Sequence, residues 1–190
     1  VCQALEETGL PMLGLNTIRG PLNAGLAALP DRVSEARRAI DQAFKYGAQI
    51  SSRNVHVMAG AITGQEATST YLDSLRYASD TAEKYHMSVL IEPLNPFDMP
   101  GYFLGDTVHA CELLETLDLN NVRLMFDIYH VGRTEGGVIE RFNSCLPLVG
   151  HIQFASIPDR GPPDSGEIDF NSIFQVIDDS GWHQPLGAEY

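Results

Sequence analysis

Residues Ser88–Leu104 read SVLIEPLNPFDMPGYFL. The stretch begins as a continuously apolar strand and closes it on a carboxylate, Glu92, directly before Pro93. Proline brings no N–H to a ladder, so the strand stops there and the acid marks its C-terminal end. The same device recurs. Val122–Asp127, VRLMFD, closes on Asp127, and Leu186–Tyr190, LGAEY, carries Glu189 at its end. Pro11–Asn16, Asn54–Met58 and Val149–Phe154 are further strand-like runs, which makes six. Several are apolar throughout rather than alternating, as parallel strands covered on both faces require.

Helical patterns fill the intervals. Pro30-Asp31 opens DRVSEARRAIDQAFKYG, where Val33, Ala36, Ile40, Ala43 and Phe44 trace one face and Gly47 is the expected stop. Leu72, Leu75, Ala78, Ala82 and Tyr85 mark a second helix. Asp106 is a fitting N-cap for TVHACELLETL, Asp169 caps FNSIFQVIDDSG ahead of Gly181, and a shorter helix is expected over Val138–Leu146. Strand–helix alternation predicts a parallel α/β fold. A doubly wound dinucleotide fold would show G-x-G-x-x-G after its first strand, and no strand here is followed by one. A (β/α)8 TIM barrel gathers functional residues at the C-terminal ends of its strands, where Glu92, Asp127 and Glu189 lie.

The eight-unit barrel normally takes about 250 residues, against 190 here. VCQALEETG reads as the tail of a helix stopped by Gly9, and the chain finishes on strand residues. The expectation is one partial TIM-barrel domain over residues 1–190, truncated by its first two strand–helix units and its last helix. No linker or change of composition divides it.

Composition narrows the function. With 25 acidic and 12 basic residues the formal charge is −13, which opposes a nucleic-acid groove, because phosphate contacts need clustered Lys and Arg. No apolar run is long enough to cross a bilayer. Cys2, Cys111 and Cys145 form no Cys-x-x-Cys pair, and so sparse a set fits a reducing compartment, the cytoplasm.

In a closed barrel Glu92, Asp127 and Glu189 would converge on one mouth together with Gln153 of GHIQF. Three carboxylates and an amide oxygen make a hard site suited to Mg²⁺ or Mn²⁺. Without a cation the carboxylates repel one another and one or more takes up a proton. His130, three residues past Asp127, is read either as a hydrogen-bond donor to substrate, as a metal ligand, or as a locally satisfied loop histidine. His151 shares the parity of Gln153 and is read as a packing residue, whereas His56 fits the lumen or the core equally. The Pro- and Gly-rich loop ASIPDRGPPDSGEID is long for a strand–helix connection, and Arg160 within it could clamp a substrate carboxylate. Glu167 reads as helix-start charge, and His86, His109 and His183 as surface residues.

The motifs LIEPLNPFDMPGYFL, FDIYHVGRTEGG, GHIQFASIPDRGPPDSGEIDF and the terminal GAEY resemble the hydroxypyruvate isomerase family, one of the xylose-isomerase-like barrels. The likeness extends upstream through LNTIRGPLNAGLAALPDR and VHVMAG and so covers nearly the whole chain. It implies two catalytic acids at Glu92 and Glu189, metal ligation by these two with Asp127 and Gln153, and substrate contacts from His130 and Arg160. It further implies a divalent metal, Mg²⁺ or Mn²⁺, a small hydroxy-keto acid as substrate, and no nucleic-acid or membrane partner. A homo-oligomer is compatible with it. The expected reaction interconverts hydroxypyruvate and tartronate semialdehyde. A 2-oxo-tetronate isomerase or ketose 3-epimerase on the same site, a non-catalytic fragment, and an abasic-site endonuclease of the same barrel class are the alternatives, the last disfavoured by charge.

Overall fold

The computed structural model describes residues 1–20 and 24–190; Pro21–Asn23, inside the quoted stretch Leu15–Arg32, lie outside the described residues. The elements in chain order are α1 (Cys2–Thr8), β1 (Gly14–Asn16), α2 (Val33–Gln49), β2 (Asn54–His56), α3 (Gln65–Tyr85), β3 (Ser88–Ile91), α4 (Thr107–Leu117), β4 (Val122–Asp127), α5 (Ile128–Thr134), α6 (Val138–Cys145), β5 (Val149–Phe154), α7 (Phe170–Asp179) and β6 (Gly187–Ala188).

The six strands pair in the order β1-β2-β3-β4-β5-β6, and every pair is parallel. A doubly wound sheet reverses its strand order at a switch point. Here each strand lies beside its sequence neighbour, which is the winding of a TIM-type barrel. All strands point the same way, so their C-terminal ends share one rim.

Alternation along each strand sorts the side chains. Val89, Ile91, Leu124, Phe126 and Ile152 join the main core, where they meet Tyr71, Leu75, Leu113, Leu114, Phe142, Ile173 and Ile177 of the helices. Residues of the opposite parity, Leu90, Glu92, Met125, Asp127, His151 and Gln153, fall on the other face. The register sets Asp127 beside Gln153 and Gln153 beside Gly187. A glutamate two residues past Gly187 therefore reaches the same rim, held there by the Glu189 N–H donating to the Phe154 carbonyl at 3.1 Å.

The expected strands all form, with ends trimmed where chain leaves the ladder: β1 begins at Gly14 rather than Pro11, and β2 ends at His56 rather than Met58. Met58 instead accepts hydrogen bonds from the N–H groups of Leu26 and Ala27 in an incoming loop. Gly25 permits that approach. Its φ is +93°, and a Cβ there would stand 2.3 Å from the Met58 carbonyl oxygen. Gly47 does not stop α2, as the sequence suggested. It is a buried helical position where Leu15 and Met87 press to within about 3.2 Å of a would-be Cβ. The caps behave as expected: Asp106 accepts from the His109 N–H, and Asp169 from that of Ser172. Helix α5 was not anticipated; Asp127 caps it by accepting from the Tyr129 N–H at 2.8 Å. His109 is half-buried rather than on the surface, its ring 5.0 Å from that of Phe103. Among the described residues no helix is long and apolar enough to cross a membrane.

Leu75 is fully buried between α3 and the sheet. Leu75→Ala should lower the free energy of unfolding by about 2–5 kcal/mol in denaturant titrations. Val108→Ala, at a position 48% exposed on α4, should stay within about 0.5 kcal/mol. Comparable losses from the two would contradict this core.

Candidate functional site

The strand-end rim bounds a cavity of about 270 Å³ lined by Asn16, Arg19, His56, Glu92, Asp98, His130, Arg160 and Glu189 with Met58, Leu94 and Met99. Glu92, from the end of β3, is 5% exposed, and Asp127, from the end of β4, is 1% exposed. Ligand atoms of Glu92, Asp127 and His130 lie within 4.8 Å of one another. Arg160 reaches in from the β5–α7 loop with its Nη2 3.0 Å from Glu189 Oε2 and 3.9 Å from Asp127 Oδ2. The structure thus brings Glu92, Asp127, Glu189, His130 and Arg160 together, with Gln153 beside Asp127 in the ladder.

The loop that delivers Arg160 is folded by its own hydrogen bonds. Ser156 N–H donates to the Gly161 carbonyl, Ser156 Oγ to Asp159, and Glu167 N–H to the Ile157 carbonyl. Arg160 sits at φ +56°, a conformation costly for a residue with a Cβ and held only by such surroundings. Its guanidinium lies 5.0 Å over the Tyr129 ring.

Electrostatics follow from burial. Removal from water, then the charges of Asp127 and Glu189, push the Glu92 carboxyl well above the usual range. Burial and Glu189 raise Asp127 to about 7, against the pull of the Tyr129 N–H and Arg160. Burial lowers His56 to about 3 and His130 to about 4, so both imidazoles are neutral at neutral pH.

The tautomer of His130 can be derived from its neighbours. Asn95 Oδ1 accepts from the backbone N–H groups of Phe97 and Asp98, at 3.1 and 2.9 Å, which fixes the amide orientation. Its Nδ2 therefore faces Asp98 Oδ2 at 3.0 Å and His130 Nδ1 at 2.8 Å as a donor. The Asn95 backbone N–H also donates to Nδ1, at 3.1 Å. Nδ1 is an acceptor, so the proton of the neutral ring is on Nε2, which lies 3.7 Å from Asp127 Oδ2. Of the roles open to His130, a protonated Nε2 suits hydrogen-bond donation into the cavity and not metal ligation.

The buried oxygens of the site are donors of the kind a divalent cation takes. Glu92 Oε1, Asp127 Oδ2 and Gln153 Oε1 are buried and without a hydrogen-bond partner among the described residues. Buried oxygens left unpaired are costly, and hard oxygen donors are what Mg²⁺-like ions take. The remaining histidines fall where their surroundings put them. His151 packs against the backbone of Gly187, as a layer residue would. His56, undecided from sequence, lies at the site, with Nδ1 3.2 Å from Asn16 Oδ1 and 3.4 Å from Glu92 Oε2. Sequence reasoning passed over Asn16, Arg19, Asn95 and Asp98. The last two stood inside the opening motif, where Asn-Pro-Phe-Asp is a turn signature in which the Asn side chain caps the following N–H groups.

All 190 residues match the family model described as xylose isomerase-like TIM barrel. The chain belongs to that family. It is 36% identical to the 2-oxo-tetronate isomerase of Cupriavidus necator, over 98% of this chain and 74% of that protein. It is 32% identical to the hydroxypyruvate isomerase of Escherichia coli, over 87% of this chain and 66% of that protein. Among solved structures, one described as AP endonuclease, family 2, from Brucella melitensis superposes with a TM-score of 0.95 at 31% identity, covering all of this chain and 76% of that one.

Two-bond ¹H–¹⁵N correlation spectra of His130 should show the proton on Nε2 at neutral pH. They should still show it there when a divalent cation is added. A proton on Nδ1, or a bare Nε2 in the presence of the ion, would contradict the assignment.

Proposed function

We propose that this chain is an isomerase of small hydroxy-keto acids that interconverts hydroxypyruvate and tartronate semialdehyde. The observation that carries the reading is the meeting of Glu92, Glu189 and Arg160 with neutral His130 around one cavity at the strand ends, with Asp127 buried beside Glu92, His130 and Arg160. It is supported by relatives that bear the names hydroxypyruvate isomerase and 2-oxo-tetronate isomerase.

The reaction moves one proton between adjacent carbons and exchanges a carbonyl with a hydroxyl, through an enediolate with charge on two neighbouring oxygens. Glu92 and Glu189 are the acid–base pair: one removes the proton and the other returns it on the next carbon. Burial suits Glu92 to this role, since a carboxyl pushed toward neutrality holds a proton without strong cost. The His130 Nε2–H donates to a substrate oxygen, where developing negative charge strengthens the bond. Arg160 tethers Glu189 and presents positive charge to the anionic substrate. Glu92, Asp127, Gln153 and Glu189 would hold the cation, with Mg²⁺ or Mn²⁺ matching their oxygen donors. When bound, such an ion polarises the carbonyl and acidifies the neighbouring C–H bond. The reacting unit is the single partial-barrel domain over residues 1–190, in the cytoplasm, a reducing compartment that fits its sparse, unpaired cysteines.

A 2-oxo-tetronate isomerase is the second reading, favoured by the Cupriavidus necator relative. An endonuclease is not favoured, because the cavity is rich in carboxylates and the net charge is −13.

Glu92→Gln and Glu189→Gln should each reduce kcat on hydroxypyruvate by at least about 10²-fold while the fold is kept, as loss of a positioned acid–base group does. Chelation should silence the parent protein and Mg²⁺ or Mn²⁺ restore it. Near-parent rates in either variant, or full activity in rigorously metal-free protein, would overturn the assignment.

A further inference from the structure

Two of the three cysteines meet away from the acid cluster. Cys111 on α4 and Cys145 at the end of α6 are 34 residues apart in sequence, yet their sulfurs lie 3.5 Å apart, with the Cys111 thiol donating to Cys145. Helices α4 and α6 pack directly on each other. Cys145 is 3% exposed, while Cys111 is half-buried and opens the pair to small solutes. A sulfur–sulfur distance of about 2.0 Å is needed for a bond, so the two sulfurs must close by about 1.5 Å.

We propose that Cys111 and Cys145 form a dithiol modification site that a small hydroperoxide closes into a reversible disulfide. The hydrogen bond from Cys111 supports this by favouring the thiolate of Cys145, whose thiol it holds below its ordinary range, while the same bond pushes the Cys111 thiol up. The Cys145 thiolate attacks hydrogen peroxide; an S–O bond forms, the O–O bond breaks, and the departing hydroxide takes a proton to leave as water. The resulting sulfenic acid is attacked by the Cys111 sulfur. The S–S bond forms, the S–O bond breaks, and the Cys111 proton leaves with the hydroxyl as a second water. Two thiols and one peroxide thus give one disulfide and two waters. A dithiol reductant reverses the change by exchange.

The bond would close a covalent ring around residues 112–144. That ring contains β4 and α5, which carry Asp127 and His130. Cross-linking restricts the open states of the segment it encloses. The thiol pair therefore sets the local stability of the strand–helix unit that supplies one acid and the imidazole donor of the site, without touching either.

The test uses Cys2→Ser protein, which removes the exposed third cysteine. Treatment with hydrogen peroxide should reduce the count of titratable thiols from two to none and join the peptides containing Cys111 and Cys145. Amide exchange across residues 122–134 should slow by about tenfold or more. Dithiothreitol should return both properties to their starting values. In Cys111→Ser protein the sulfenic acid at Cys145 should persist long enough to be trapped by dimedone, with no slowing of exchange. Free thiols after treatment, or sulfinic acid without a joined peptide, would overturn the proposal. So would a joined peptide whose exchange rates are unchanged, for the coupling to Asp127 and His130.

Discussion

Like charges crowded into a low-dielectric rim are the constraint on which the rest of this molecule depends. Glu92 and Asp127 are almost wholly removed from water, and Glu189 acts on both. Ionised together and unaccompanied, they would repel strongly at such burial. Arg160 offsets part of that repulsion, at 3.0 Å from Glu189 and 3.9 Å from Asp127. The buried oxygens that have no partner among the described residues call for more positive charge. The two nearby imidazoles do not provide it, since burial keeps both neutral. A cation, a proton in transit or a polarised substrate would, and each belongs to the chemistry proposed.

The fold creates this costly arrangement through parity and direction. Parallel strands in sequential order bring every C-terminal end to one rim, and the two-residue period of the strand turns Glu92, Asp127 and Gln153 away from the helices. A slip of one residue in β3 or β4 would send Glu92 or Asp127 into the apolar core. The core between sheet and helices is what resists that slip, and the bulge between Leu124 and Met125 is absorbed before the ladder reaches Asp127.

Much of this was legible in the chain because the signals were local and repeated. An apolar run closed by an acid appeared three times, and each acid proved to lie at the rim. Caps such as Asp106 and Asp169 were readable for the same reason: the side chain and the N–H groups it serves are three residues apart. The features that escaped depend on partners distant in sequence. Asn95 reads only as a turn residue until His130, 35 positions on, is placed against it. Gly47 looked like a helix stop because sequence shows conformational freedom, whereas its role is to admit Leu15 and Met87. His56 could not be assigned to lumen or core until Asn16 and Glu92 were seen beside it. Helix α5 was hidden because it begins one residue after β4, with no loop to announce it.

The proposed reaction requires the acid cluster to take a proton from the carbon beside a keto acid's carbonyl. Hydroxypyruvate deuterated at C3, incubated with the protein and Mg²⁺ and followed by NMR, tests this most directly. Loss of label from C3, to solvent or to C2 of tartronate semialdehyde, is the predicted result. Label fully retained at C3, and likewise at the carbon beside the carbonyl of 2-oxo-tetronate, would contradict it.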